Sequence, residues 1–202
     1  MRKTVFEGVP AEADEIFAKT FAGQLGIVDE NGWPRVVPLN FVYHGGFIYF
    51  HGALEGEKFS LFTARPKVCF SAYAEYSYIP SYWRSPNFAC PASVYYKSAH
   101  VRGIGSIVED INEKAVATQK LMEKIQPDGG YTPVTADSPV YKKALDEVAI
   151  FKIAPEEITV KVKLGQNLPD VVRRSIVDKL RERGSAVDLE TVSEIERNLN
   201  GK

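Results

Sequence analysis

The chain has 202 residues, of which 45% are hydrophobic and 25% are charged, and its formal net charge is -1. This length and composition predict a globular protein with at least one full hydrophobic core. The near-zero net charge argues against binding to nucleic acid or to an anionic membrane surface. No apolar run reaches the roughly 20 residues of a membrane span. The acidic N-terminal stretch lacks the apolar core of a signal peptide, and the two cysteines suit a reducing compartment. We therefore predict a cytoplasmic protein.

A helix is predicted over residues 10–22, because Pro10 suits a first helical turn and apolar residues recur on one helical stripe. A short strand is predicted over residues 24–29, followed by a turn at Asn31-Gly32, a pair that is typical of tight hairpins. The stripe of the helix consists of Ala13, Ile16, Phe17, Thr20 and Phe21.

Residues 33–58 carry two strand-like runs that meet at the Gly45-Gly46 turn and predict one long hairpin. The first run is rich in Val, Phe and Tyr. Pro34 and Pro38 within it are typical of an edge strand or a bulge. The predicted elements of this part are strands over 33–44 and 47–52, a short helix over 57–64 and a strand over 67–75.

Residues 76–92 follow neither the period of a helix nor that of a strand, and their proline, serine and aromatic residues predict a loop. Farther along, Asp110 and Glu113 form a capping-box pair at the start of a helix. Ser138-Pro139 predicts the start of another helix. The predicted elements are a long strand or a bent pair of strands over 93–109, helices that end near residues 125 and 146, and strands over 147–153 and 158–162.

Two helices are predicted near the C-terminus, because apolar residues recur every three or four positions on either side of Gly184. The predicted domains are a barrel over 1–165 and a helical extension over 166–202. This extension packs either on the barrel or on a dimer partner. The two apolar stripes are Leu168, Val172, Ile176 and Leu180, then Leu189, Val192, Ile195 and Leu199.

The order of elements is a run of hairpins, an inserted helix, closing strands and two final helices. Alternating strand–helix units are missing from this pattern, which argues against a doubly wound parallel sheet. We predict a mainly β (α+β) fold: an antiparallel split β-barrel with peripheral helices and a C-terminal helical pair.

Three segments, in the same order along the chain, resemble one family. They are GQLGIVDENGWPRVVPLNFVYHGGFIYFHGALEGEK, YYKSAHVRG and EKAVATQKLMEKIQP. This pattern over about residues 20–165 is similar to that of the pyridoxamine 5′-phosphate oxidase-related flavoproteins, and most similar to their nitroimidazole-resistance-like branch. The resemblance implies an FMN-binding split β-barrel. It also implies a homodimer with cofactor sites at the subunit interface.

The resemblance places the flavin ring beside the first strand of the 33–58 segment. Isoalloxazine is flat and largely apolar with a polar pyrimidine edge, so a strand surface with backbone donors and acceptors suits it. Val37, Pro38, Leu39 and Asn40 offer that combination, with Asn40 at the polar edge and Arg35 near the ribityl chain or the phosphate. The alternative for these residues is an ordinary hairpin core.

The phosphate end is expected where the second strand stops. His51, Gly52 and Ala53 form a loop in which small side chains let a ligand approach the backbone, and His51 could contact the flavin or donate a proton. Lys58, near the start of a short helix, suits a phosphate, although acidic neighbours partly cancel its charge. Ser98 could donate to a phosphate oxygen. The alternatives are a solvated lysine and an ordinary strand serine.

The aromatic residues of the 76–92 loop are too many for a plain connection. One hypothesis is that the loop caps the flavin cleft and shapes the substrate pocket, with Tyr82 or Trp83 over the ring. The alternative is an aromatic contact between the subunits of a dimer. The sequence leaves both open.

Other chemistries have weaker support. The three histidines lack metal-ligand spacing, so no metal is predicted. There is no hydrolase motif, and Cys69 lies in a strand pattern that typically buries an inert thiol. Lys97 and Arg102 are expected to face solvent on alternate pleats. The basic residues of the penultimate helix are expected to form a solvated face. They are Arg173, Arg174, Lys179, Arg181 and Arg183.

The resulting functional prediction is FMN-dependent redox chemistry on a small molecule, with NADH, NADPH or an amine-type substrate as hydride donor. No side chain is assigned a catalytic role. Three alternatives remain open. They are a flavin-binding protein without turnover, a relative that holds haem or F420 on the same barrel, and an interaction module that acts through its C-terminal helices.

Overall fold

A computed structural model describes residues 4–200, which form seven β-strands, six α-helices and two short 3₁₀ turns. The strands are β1 (Ala22–Val28), β2 (Pro34–Asn40), β3 (Val42–His44), β4 (Phe47–Gly52), β5 (Lys67–Ile79), β6 (Ser93–Ile107) and β7 (Ala149–Lys163). The helices are α1 (Ala11–Lys19), α2 (Glu57–Thr63), α3 (Ile111–Ile125), α4 (Lys142–Asp146), α5 (Asp170–Arg183) and α6 (Ala186–Asn200).

The strands form one sheet in the order β2-β1-β5-β6-β7-β4-β3. The pairs β1–β2, β1–β5, β3–β4 and β4–β7 are antiparallel. The predicted antiparallel sheet with peripheral helices and a C-terminal helical pair is therefore observed. Within residues 4–200, none of the helices is long and apolar enough to cross a membrane.

The chain divides into two compact units. We call residues 10–72 and 99–159 the hairpin unit, and residues 4–9, 73–98 and 160–200 the terminal unit. The hairpin unit contains β1 to β4 and α1 to α4. The terminal unit contains α5 and α6.

Phenylalanine rings fill much of the core of the hairpin unit. The Phe41 ring lies 5.9 Å from that of Phe17 and 4.8 Å from that of Phe70, both in edge or tilted contact. Phe50 stacks on Phe151 with ring centroids 5.1 Å apart. Each such pair adds about 0.5–1.5 kcal/mol beyond simple burial.

The predicted strand over 33–44 is wrong, because the structure has two strands there. Phe41 separates β2 from β3 and is fully buried among the core rings. As a result β2 pairs with β1, whereas only the three residues of β3 pair with β4. The 33–58 segment is thus not a single hairpin. Because the Phe41 side chain is buried in the core, the ladder between β2 and β1 ends at Asn40.

Helix α1 ends at Lys19, three residues before the predicted end. The Thr20 hydroxyl donates a 2.8 Å hydrogen bond to the Ile16 carbonyl, and Thr20 itself is extended. Ala13, Ile16 and Phe17 are buried as predicted, but Phe21 lies beyond the helix and is 56% exposed.

The predicted loop over 76–92 starts too early. β5 continues to Ile79, so Tyr76 and Tyr78 lie on a strand, where Tyr76 is buried and Tyr78 is exposed. Burial alternates along β5 as far as Tyr76, after which Ser77 is also buried. A 3₁₀ turn over Ser81–Trp83 begins the remaining connection.

Two further boundaries differ from the prediction. The last two predicted strands form one strand, β7. Pro155 lacks a backbone N–H, but this removes a hydrogen-bond donor at only one position of the strand. The predicted helix from Ser138 begins only at Lys142, after a turn in which the Ser138 carbonyl accepts from the backbone of Tyr141 and Lys142.

The terminal unit holds the predicted pair of helices. α5 stops at Gly184, whose φ of 68° is left-handed and suits glycine. On α6, Val192 and Ile195 are buried as predicted, but Leu189 is 51% exposed.

Polar residues share the buried face of α6. Asp188 and Thr191 are fully buried, and both bond Ser77 on β5. Arg183 donates to Asp188 at 2.8 Å. These bonds hold the pKa of Asp188 well below its usual range. The pattern of apolar residues alone therefore does not predict which face of α6 packs on β5.

Candidate functional site

The strand β2 is the first strand of the sheet order, so one of its edges has no ladder partner within the described residues. Pro34 and Pro38 lie on it, as expected for an edge strand. Val37 and Leu39 lie opposite Leu25 and Gly23 of β1 and are half-buried. The strand therefore has an apolar surface and unpaired backbone groups together.

Asn40 ends β2 with an exposed side chain whose amide donates a 3.1 Å hydrogen bond to the Phe21 carbonyl. This bond uses one donor and fixes the direction of the amide. The Asn40 side-chain oxygen has no hydrogen-bond partner among residues 4–200.

Arg35 connects β2 to the start of α2. Its guanidinium lies 3.2 Å from the Glu57 carboxylate, and the two side chains are 52% and 48% exposed. An ion pair this exposed contributes little to stability. Its consequence is that Glu57 pairs with Arg35, so the acidic neighbour expected to weaken the charge of Lys58 has another partner.

The connection from β4 to α2 carries the residues predicted for the phosphate end. His51 and Ala53 are exposed, and Gly52 is half-buried. Gly56, with a φ of 90°, leads into the helix. A Cβ atom at Gly52 would lie only 2.9 Å from the Lys58 ammonium nitrogen. A larger residue at position 52 would therefore displace the Lys58 ammonium from this position.

Lys58 is a half-buried cation on an aromatic floor. Its ammonium lies 5.4 Å from the ring centroid of Phe50 and 5.0 Å from that of Phe151. Burial lowers the pKa of Lys58. No carboxylate of residues 4–200 lies within ion-pair distance of it. A partly desolvated ammonium without an anionic partner suits a phosphate group.

Three predicted residues belong to the terminal unit. Ser98 is buried, with 5% of its surface exposed. Tyr82 is 65% exposed, whereas Trp83 is half-buried, and the Arg183 guanidinium lies 5.0 Å from the Trp83 ring centroid. Trp83 therefore has an intramolecular cationic partner.

Several expectations about charged and thiol groups are wrong. Lys97 is 3% exposed and lies 2.6 Å from Glu194, because α6 places a carboxylate over this part of β6. Arg173 is also fully buried. Cys69 is exposed on a strand predicted to bury it. It lines a cleft of about 430 Å³ that Arg35 and Arg102 also line.

Sequence reasoning also missed a charged cluster beside the β4–α2 connection. The Tyr49 hydroxyl donates to Glu113 at 2.8 Å, and the Lys152 ammonium donates to the same oxygen at 2.6 Å. These donors lower the pKa of Glu113. Leu54 and Phe59 share a cleft of about 820 Å³ with Glu113 and Lys152. No local signal links these positions, since they lie on separate elements.

The sheet topology fits a split β-barrel, and comparisons with known proteins place the chain in one family. The family model for pyridoxamine 5′-phosphate oxidase matches residues 10–162. The chain belongs to this family, which confirms the predicted resemblance and fold class. A search of curated proteins found no match.

Similar solved structures support the same fold. One is a candidate 5-nitroimidazole antibiotic resistance protein from Bacteroides thetaiotaomicron, 26% identical, with a TM-score of 0.61 over 76% of this chain and 84% of that one. Another is the flavocytochrome Anf3 from Azotobacter vinelandii, 20% identical, with a TM-score of 0.63 over 77% and 67%. A third is an FAD- and haem-binding protein from Mycobacterium smegmatis, 15% identical, with a TM-score of 0.64 over 83% and 78%.

Proposed function

We propose that this protein binds FMN, with the flavin ring along Val37–Asn40 of β2 and the phosphate at the His51–Lys58 connection. Membership of the pyridoxamine 5′-phosphate oxidase family supports the cofactor class. Names of similar structures mention FAD and haem as well, so the choice of FMN rests on the site. A single phosphate needs one compact cationic region, and this connection offers one.

Lys58 is the observation that carries the proposal. It is a half-buried ammonium against Gly52, over two phenylalanine rings, with no carboxylate within ion-pair distance among the described residues. A phosphate would give this cation its missing anionic partner. Gly52 leaves the room that such an approach requires. Glu57 pairs with Arg35 and not with Lys58. If Glu57 were paired with Lys58, its carboxylate would disfavour binding of a phosphate.

We further propose that the protein is an oxidoreductase acting on a small molecule, with NADH or NADPH as a candidate donor. FMN, when bound, carries a hydride or electrons between the donor and the substrate. The residues of this chain bind and orient the cofactor. Val37 and Leu39 offer an apolar surface, the Asn40 side-chain oxygen can accept a hydrogen bond from the pyrimidine edge, and Lys58 neutralises the phosphate. Arg35 and Ser98 remain candidate ligands.

A homodimer belongs to the same proposal. Val36 and Trp33 are 68% and 71% exposed at β2, and Val28 on the neighbouring strand is 56% exposed. Val28 and Val36 point to the same face of the β1–β2 pair, because Val28 is paired with Pro34, two residues from Val36. Apolar side chains grouped on one exposed face are typical of a protein interface.

The test compares FMN with riboflavin, which lacks the phosphate. The substitution Lys58→Met should weaken FMN binding about 10- to 100-fold, since a charge-assisted hydrogen bond contributes about 1.5–3 kcal/mol. Riboflavin affinity should change little. Flavin fluorescence quenching on titration measures both, and Lys143→Met, an exposed lysine of the same unit, is the matched control.

Two outcomes would contradict the proposal. One is a wild-type protein that neither purifies with a flavin spectrum nor takes up added FMN. The other is an equal loss of FMN and riboflavin affinity in Lys58→Met.

The visible spectrum also distinguishes haem or F420 in the same barrel. Anaerobic addition of NADH or NADPH then separates turnover from simple binding, because only a redox enzyme bleaches its flavin.

A further inference from the structure

A second cleft lies wholly within the terminal unit, and none of its lining residues is one assigned to FMN. It has a volume of about 170 Å³. Its walls come from the connection after β5, the start of β6, the end of β7 and α5. Pockets for drug-sized ligands usually measure about 300–1,000 Å³. This cleft therefore suits a small ligand or one end of a larger one.

The charged residues that line this cleft are both cations. Arg84 lies just after the 3₁₀ turn, and Lys163 is the last residue of β7. Of the residues that the structure describes, no Asp or Glu lines the cleft. Among residues 4–200, neither cation has a carboxylate within ion-pair distance. Two unneutralised cations on one small cavity attract an anion.

A neutral donor faces the same space. Tyr95 is 3% exposed and lines the cleft, and Gly165, with a φ of 79°, lies against its hydroxyl, where a Cβ atom would collide with it. Burial raises the pKa of Tyr95. The hydroxyl therefore stays protonated at neutral pH and can donate a hydrogen bond to an anion.

A buried arginine strengthens the positive field. Arg173 lies one turn before Ile176, which lines the cleft, and its charge acts on Tyr95. One guanidinium nitrogen donates to the Asn198 side chain at 2.9 Å, but the Nε and Nη1 donors have no hydrogen-bond partner in the described chain. Nη1 also lies 3.8 Å from the Asp170 carboxylate, so Arg173 contributes a buried positive charge that is partly balanced by Asp170.

We propose that this cleft binds a small oxyanion, that is, a carboxylate or phosphate group, either free or at the end of a small metabolite. Arg84 and Lys163 would contact the negative oxygens, and the Tyr95 hydroxyl would donate a hydrogen bond. Arg173 acts from behind as a fixed positive charge. A cation is disfavoured because the lining formed by residues 4–200 contains no carboxylate. A whole nucleotide is too large for the volume.

The test is isothermal titration calorimetry of the full chain with inorganic phosphate and, separately, with acetate, at ionic strength kept constant with chloride. We expect saturable binding of at least one anion. Arg84→Gln and Lys163→Gln should each weaken it about tenfold, the effect of losing about 1.4 kcal/mol. Tyr95→Phe should weaken it less. Lys143→Gln, which removes the same charge from an exposed lysine, should leave it unchanged.

The variant Lys58→Met distinguishes binding in this cleft from binding at the proposed FMN site. Phosphate bound at the FMN site would be lost in that variant. We expect the anion binding that depends on Arg84 and Lys163 to persist in Lys58→Met. The proposal is overturned if no saturable heat appears with either anion at concentrations up to about 10 mM, about ten times the concentration at which a Kd of about 1 mM gives half-saturation. It is also overturned if Arg84→Gln and Lys163→Gln bind as the wild type does, or if Lys58→Met alone abolishes binding.

Discussion

Lys58 and Lys124 both lie over phenylalanine rings, but their hydrogen bonding differs. Lys124 lies 3.7 Å from the Phe41 ring centroid and donates a 2.8 Å hydrogen bond to the Phe41 carbonyl, whereas Lys58 has aromatic contacts without an anion. A backbone carbonyl satisfies the donor of Lys124 but does not neutralise its charge. The hydrogen bond to Phe41 holds the Lys124 ammonium in place, which gives it a structural role. Among residues 4–200 the Lys58 ammonium has only aromatic contacts, so its donors are better able to bind an anion.

Lys124 also predicts a pH dependence of stability. Burial lowers its pKa to about 8, from an ordinary value of about 10.4. Between these two values the unfolded chain binds more protons than the folded one, so this group raises the free energy of unfolding as the pH rises. Relative to Lys124→Met, the wild type should gain about 1 kcal/mol between about pH 8 and pH 10, after allowance for solvent screening.

Urea unfolding at several pH values measures this difference. Lys143→Met, whose lysine is 84% exposed, should follow the wild-type pH profile and serves as the control. Parallel profiles of the wild type and Lys124→Met would show that Lys124 titrates normally in the folded protein.

At the scale of elements, close approach between β6 and β7 depends on a glycine. A Cβ atom at Gly103 would press against the Ala154 carbonyl group, which is backbone and cannot turn away. By contrast, a Cβ atom at Gly26 would meet only Cys69 at an ordinary 3.6 Å. Both glycines lie within strands, so the two positions form a matched pair.

We expect Gly103→Ala to lower the free energy of unfolding by about 2 kcal/mol, since overpacking against fixed backbone typically costs 1–3 kcal/mol. Gly26→Ala should stay within about 0.5 kcal/mol of the wild type. Chemical denaturation of both variants at one pH tests this. Equal stability of the two variants would mean that β6 and β7 can separate at no cost.

At the scale of the whole molecule, the proposed dimer interface and the proposed cofactor site share strand β2. Val36 faces outward one residue from Val37, which is assigned to the flavin. A partner that covers Val36 would also limit the access of water to β2. Dimerisation and flavin binding should therefore change together.

We expect Val36→Glu to convert a dimer to monomers and to weaken FMN binding, because it places a charge in an apolar interface. Size-exclusion chromatography with light scattering measures the mass. Val140→Glu is the control, since Val140 is 65% exposed and lies outside the β1–β2 pair. A monomeric wild type, or a Val36→Glu variant that remains dimeric, would contradict this assignment of the interface.

Much of the candidate site could be proposed from the sequence because its signals are local. The order of Arg35, Pro38, Gly52 and Lys58 along adjacent elements, and the turn glycines between them, depend on neighbours in sequence. The start of α2 and the left-handed Gly184 at the end of α5 were predicted for the same reason. Family membership was predictable because the segments keep their order along the chain.

The sequence by itself determined the strand-rich class, the C-terminal helices and the position of the candidate phosphate site. Only the tertiary structure decided that Phe41 divides the predicted hairpin, that Glu57 pairs with Arg35 and that Phe151 lies under Lys58. It likewise buried Lys97 against Glu194. The physical reason is that hydrophobic periodicity reports which residues are buried, whereas pairing between distant residues depends on which surfaces meet in the folded chain.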